Sequence, residues 1–121
     1  MTKQDLEDRI VQFAARCVKV CGAIPAKKAG SSSMADQLFR SSTSVAANYA
    51  EASESESRKD FIHKLKVAMK ELSEARVWLK IGAESGYVPK PRLAKLLGEA
   101  EELSKIFAAS IITARQKMKE E

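Results

Sequence analysis

The chain has 121 residues, 45% hydrophobic but only 6% aromatic, and carries 21 Lys plus Arg against 16 Asp plus Glu, a formal charge of +5. That is enough chain for one domain with a largely aliphatic and alanine core, and its mixed charge excludes a collagen-like chain and argues against wholesale disorder. Five Gly and three Pro are too few for a small all-β domain full of tight turns. A chain this short buries limited surface alone, so a partner subunit is expected.

The predicted elements are four amphipathic helices with a period of 3.6. The first spans about residues 5–21, with Leu6, Ile10, Phe13, Ala14, Cys17, Val20 and Cys21 on one side. Asp5, Glu7 and Asp8 suit the dipole of its first turn. Gly22 and Pro25 stop it, and a loop carrying Lys27 and Lys28 follows. The second spans about 33–52, with Met34, Leu38, Ser42, Val45 and Tyr49 inward. Its many small residues fit either close helix packing or a solvated serine face.

The third helix is predicted over 58–85. Ser57 and Asp60 form a capping-box pattern ahead of Phe61, and Gly86 ends the helix. Phe61, Ile62, Leu65, Ala68, Met69, Leu72, Ala75 and Leu79 make its inner arc, while Val67 and Trp78 fall on a second arc. The fourth spans about 92–117, with Leu93, Leu96, Leu97, Ala100, Leu103, Phe107, Ile111 and Met118 inward, Ile106 and Ile112 off the stripe, and a fraying Lys-Glu-Glu end. Four helices with short connections predict an all-α, antiparallel up-down-up-down four-helix bundle, with residues 1–121 as one domain. The off-stripe Val67, Trp78, Ile106 and Ile112 are candidate oligomer contacts, because a wet tryptophan forgoes roughly 2–3 kcal/mol of burial.

No stretch reaches the roughly 18–20 apolar residues of a membrane span, and the N-terminus lacks a signal peptide's apolar core. Cys17 and Cys21 alone make no disulfide framework. The expectation is a cytoplasmic protein. Metal chemistry is disfavoured: two thiolates are an incomplete site, and the single histidine, His63, shares a face with Lys59, Lys66 and Lys70. A cation cluster suits an anion. His63 therefore reads as a solvated side chain or a polyanion contact. With no second histidine and no phosphate-binding glycine loop, neither an enzyme nor a cofactor is expected.

The charge is uneven. Residues 61–98 hold eight basic groups against three acidic ones, whereas residues 1–60 hold nine against eight. Lys59, His63, Lys66 and Lys70 line one edge of the third helix, and Lys90, Arg92 and Lys95 cluster at the bundle end. This pattern fits a solvated face or contact with RNA or DNA phosphates. No aromatic interleaves the cations, so such binding would be sequence-independent and salt-sensitive.

The segment Arg40-Ser-Ser-Thr-Ser-Val-Ala-Ala-Asn-Tyr-Ala-Glu-Ala52 resembles the signature of the four-helix-bundle proteins encoded in intervening sequences of bacterial 23S ribosomal RNA genes. The stretch Asp60-Phe-Ile-His-Lys-Leu-Lys-Val-Ala-Met-Lys-Glu-Leu-Ser-Glu-Ala75 resembles that family's next pattern. Ala46 stands where the family has proline and Ala52 where it has glycine, which predicts a straighter second helix that runs on past Ala52. The resemblance implies a bacterial homopentamer. It extends to the accessory protein of diversity-generating retroelements, a basic pentamer partnering a reverse transcriptase and nucleic acid. Of the signature's polar residues, Arg40, Asn48 and Glu51, the last two are helix neighbours. Both are expected at least partly buried and hydrogen-bonded within the chain or to a neighbour, with ligand or nucleic-acid contact as the other reading.

Two functions follow as expectations. One is a non-enzymatic oligomeric bundle that binds nucleic acid or a ribonucleoprotein through its basic surface. The other is a structural or protein-partner module whose charge only solubilises it. Basic residues on one continuous face favour the first; interspersed Glu71, Glu74 and Glu84 favour the second.

Overall fold

Capping chemistry sets where each helix begins. In the computed structural model, which describes residues 1–121, the helices are α1 (Lys3–Ala23), α2 (Ser31–Ser53), α3 (Arg58–Glu84) and α4 (Lys90–Glu120), with no strand. Thr2 starts α1 two residues before the acidic turn suggests. Its hydroxyl accepts from Asp5 N–H at 3.0 Å, and its own N–H donates to the Asp5 carboxylate at 2.9 Å. This reciprocal pair satisfies two otherwise orphaned donors and holds the Asp5 carboxyl below its usual range. At α3 only half the predicted box forms: Ser57 Oγ accepts from Asp60 N–H at 3.1 Å. Gly30 precedes α2 at φ 69°, and Gly86 follows α3 at φ 76°. Both lie in the left-handed region that glycine enters without a Cβ penalty.

Each helix packs on two neighbours, in the cyclic order α1, α2, α3, α4 and back to α1. Cross-helix pairs fix the direction. Arg40 reaches Glu71 and Glu74, whereas Glu51, later in α2, reaches Lys64, earlier in α3. The two helices are therefore antiparallel, and the short connections reverse the chain each time. Ile10, Phe13, Leu38, Val45, Leu65, Leu72, Leu79, Leu93, Leu103 and Phe107 are almost wholly enclosed. Tyr49 of α2 and Phe107 of α4 stack across the centre, centroids 6.0 Å apart and 4° from parallel.

The small residues of α2 serve close packing where they face inward. Ser41 and Ser42 are buried, and their hydroxyls donate back to carbonyls of the preceding turn, Ser41 to Gln37 O at 2.8 Å and Ser42 to Phe39 O at 3.3 Å. Burial then leaves no hydroxyl unpaired. As expected without proline at 46, α2 runs unbroken through Ala46, but it passes Ala52 by one residue only. Cys17 is a core side chain whose thiol burial pushes up to about 12. The Cys21 thiol donates to Ala35 O at 3.3 Å.

The structure corrects three expectations. Met118 is 41% exposed rather than inward. At 31 residues, α4 is about 46 Å long against about 31 Å for α1, and its last turn extends past the enclosed core. Ala114 is the last enclosed residue of α4. The terminal segment, expected to fray, is helical through Glu120. Lys117 and Lys119 favour the helix C-terminus, and Glu121 pairs with Arg58 at the start of α3. Trp78 and Ile106 are partly covered by the chain's own core. A helix with two neighbours buries a wide arc, so residues off the central stripe still find cover. The apolar side chains left bare on α3 are instead Val77 (49% exposed) and Ile81 (42%). Glu51, expected at least partly buried, is exposed although ion-paired.

Candidate nucleic-acid interface

Helix geometry places Lys59, His63, Lys66 and Lys70 on the side of α3 opposite Leu65, Leu72 and Leu79, and all four are exposed. The spacings of four, three and four residues make a row rather than a scatter. None of the four takes part in an ion pair. Six cations elsewhere are paired with carboxylates. Arg9 binds Glu99 through two parallel hydrogen bonds of 2.7 Å, Arg40 bridges Glu71 and Glu74, and Lys64 binds Glu51 at 2.8 Å. Glu71 and Glu74 border the row near Lys70, but Arg40 of α2 occupies them. That engagement holds the Glu74 carboxyl below its usual range and raises the Arg40 guanidinium. The carboxylates beside the row are thereby already matched.

The second basic group differs. Lys90, Arg92 and Lys95 are exposed at the start of α4, and Glu84 sits among them, 3.2 Å from Lys90. From Lys70 to Glu84 along α3 is about 21 Å. Within one subunit the seven predicted contacts thus form two patches, not one continuous face, and an acidic side chain interrupts only the second.

The signature residues hold α2 to α3. Arg40 makes the cross-helix bridge just described, and Glu51 makes the parallel one to Lys64. Asn48 is half-buried, and its Nδ2 donates to Ser44 O at 2.9 Å and Ser44 Oγ at 3.0 Å. All three are engaged within the chain, which supports the structural reading of the signature. Of the expected oligomer contacts, Ile112 is 56% exposed and Val67 is half-exposed.

Residues 3–109 match the family described as 23S rRNA-intervening sequence protein. The chain belongs to that family. Among solved structures it is similar to a crystal structure of a protein with unknown function from the S23 ribosomal protein family of Bacteroides thetaiotaomicron VPI-5482. The two are 30% identical with a TM-score of 0.80, over 88% of this chain and 97% of that one. No curated protein matches the chain. Family membership accounts for the bundle and the α2 signature, and neither description names a reaction. No three His, Cys, Asp or Glu side chains converge as metal ligands, and no helix is long and apolar enough to cross a membrane.

The Arg9–Glu99 pair gives a pH-dependent prediction, because it ties α1 to α4 across the least extensive seam of the bundle. Arg9 lowers the Glu99 carboxyl from its ordinary value of 4.5. A depressed folded value means that the stabilisation is complete above about pH 4.5 and fades as pH falls through it. Arg9→Gln should therefore cost about 0.5–1 kcal/mol at neutral pH, discounted for solvent exposure. The gap to wild type should close as pH falls below about 4.5 in urea unfolding. A gap that stays constant across that range would remove the pair from the account.

Proposed function

We propose that the protein is a non-enzymatic, oligomeric helical bundle that binds nucleic acid, free or within a ribonucleoprotein, through the row Lys59, His63, Lys66 and Lys70. The observation that carries this reading is the row's freedom from carboxylates while Arg40 occupies Glu71 and Glu74 beside it. Phosphates are the matching charge, and without interleaved aromatics the contact reads charge rather than base. The protein acts in the bacterial cytoplasm, where RNA and DNA are the abundant polyanions. The patch at Lys90, Arg92 and Lys95 joins the first only where an oligomer or a long polyanion brings the two together.

The test is amine acylation with and without a nucleic-acid duplex. Lys59, Lys66 and Lys70 should be protected several-fold, while Lys27 and Lys28 of the α1–α2 connection stay reactive. Equal reactivity at all five in the bound state would sink the assignment.

A second reading has its own support. The outer face of α3 turns apolar beyond Lys70, at Val77 and Ile81, beside half-covered Trp78. That half fits a protein contact, either a neighbouring subunit, in a homopentamer by family resemblance, or another protein such as a reverse transcriptase. Subunit contact here leaves the cationic half free and repeats it around the ring, which raises avidity without new contacts. Light scattering at micromolar concentration should give a multiple of the 13.3 kDa chain. A monomeric mass would remove the self-association and leave the face to a different protein.

A further inference from the structure

Where α2 turns into α3, the long end of α4 overhangs and leaves an open groove of about 950 Å³. Its volume lies at the upper end of the range for small-molecule sites, about 300–1,000 Å³. Its apolar side is Phe61 of α3 and Ile106 of α4, both only half-covered by the chain's own packing. Around them stand three cations from three separate segments: Lys3 before the first turn of α1 is complete, Arg58 at the start of α3, and Lys117 near the end of α4. Thr113 adds an exposed hydroxyl. A half-covered ring, three cations and an exposed hydroxyl match a planar base, a phosphate and a sugar, although Glu56 and Glu121 also line the groove.

We infer that this groove binds a phosphorylated nucleotide, with the phosphate on Arg58, Lys3 and Lys117 and the base against Phe61. The inference rests on the nucleic-acid reading above in one respect: the groove opens at the end of α3 where the cationic row begins, with Arg58 one residue before Lys59 and about 100° around the helix from it. It supplies what the row lacks, an aromatic surface for a base. Its chemistry also carries a built-in competitor. Glu121 lines the groove and is ion-paired with Arg58, so a phosphate must displace that carboxylate to reach the guanidinium. Arg favours such planar bidentate recognition of either anion. Removing the cation and removing the competitor should therefore act in opposite directions.

The experiment is calorimetric titration of the full chain with adenosine monophosphate, adenosine and inorganic phosphate at low salt. The monophosphate should bind at least about tenfold more tightly than either fragment, because each fragment keeps only one half of the contact. Arg58→Ala should weaken it by about tenfold or more, as loss of a charge-assisted hydrogen bond does. Glu121→Gln should strengthen it. Lys66→Glu with Lys70→Glu, outside the groove, should leave it unchanged, which separates this site from the row. Inorganic phosphate binding as tightly as the nucleotide would overturn the inference, as would Glu121→Gln weakening the nucleotide or wild type failing to bind it. None of those results bears on duplex binding by the row, which its own lysine variants decide.

Discussion

Phe107→Ala is expected to lower the unfolding free energy by about 3–5 kcal/mol, the range for truncating an enclosed phenylalanine. Phe107 is fully buried and stacks on Tyr49, so the change removes its transferred area and also one half of the contact joining α2 to α4 across the centre. The helices cannot close the void freely, because Leu65, Leu72 and Leu103 are already wholly enclosed. For a domain of this size the loss corresponds to a fall of roughly 10–20 °C in the midpoint of thermal unfolding. Circular dichroism melting measures it. A fall of only a degree or two would mean that the core tolerates the void, and the stacked pair would not be its keystone. Tyr49→Phe, which keeps the ring, should be nearly neutral by comparison.

Reversing charge at Lys66 and Lys70 should have the larger functional effect. Both side chains are exposed and unpaired on the outer face of α3, so Lys66→Glu with Lys70→Glu should leave helicity and mass intact. The pair removes two phosphate contacts per subunit and places two carboxylates in the path of the polyanion. Affinity for duplex DNA or RNA at low salt should fall on the order of 100-fold, and the salt dependence should flatten by about two units of slope for each subunit engaged. Unchanged affinity in the double variant would move the binding surface elsewhere, with Lys90, Arg92 and Lys95 next to be reversed.

Much of the fold is legible in the sequence because periodicity reports burial directly. Leu6, Ile10, Phe13 and Cys17 recur at helical spacing and are the buried face of α1. Helix ends are less legible where the cap lies outside the apolar stripe. Thr2 begins α1 by a local hydrogen bond, and Arg58 anchors the end of α4 from 63 residues away. Met118 continues the inward pattern, yet it outruns the helices that would cover it. Pattern gives direction but not the length of the neighbours. The basic row is legible because it lies on one helix. Its freedom from carboxylates is not, because that depends on Arg40 reaching Glu71 and Glu74 across the α2–α3 seam. The groove is still less so, since Lys3, Arg58, Phe61 and Lys117 are assembled only by the tertiary fold. Val77 and Ile81 could have been read from the same helical wheel that singled out Val67 and Trp78.

The most direct test of nucleic-acid binding by the α3 row is fluorescence anisotropy of wild type with a labelled duplex across a salt series. The account predicts tight binding at low salt, little near physiological salt, and indifference to sequence. The plot of log affinity against log salt should be linear, falling by about 0.9 for each phosphate neutralised on B-form DNA. No binding at the lowest salt, or an affinity that salt does not move, would contradict it.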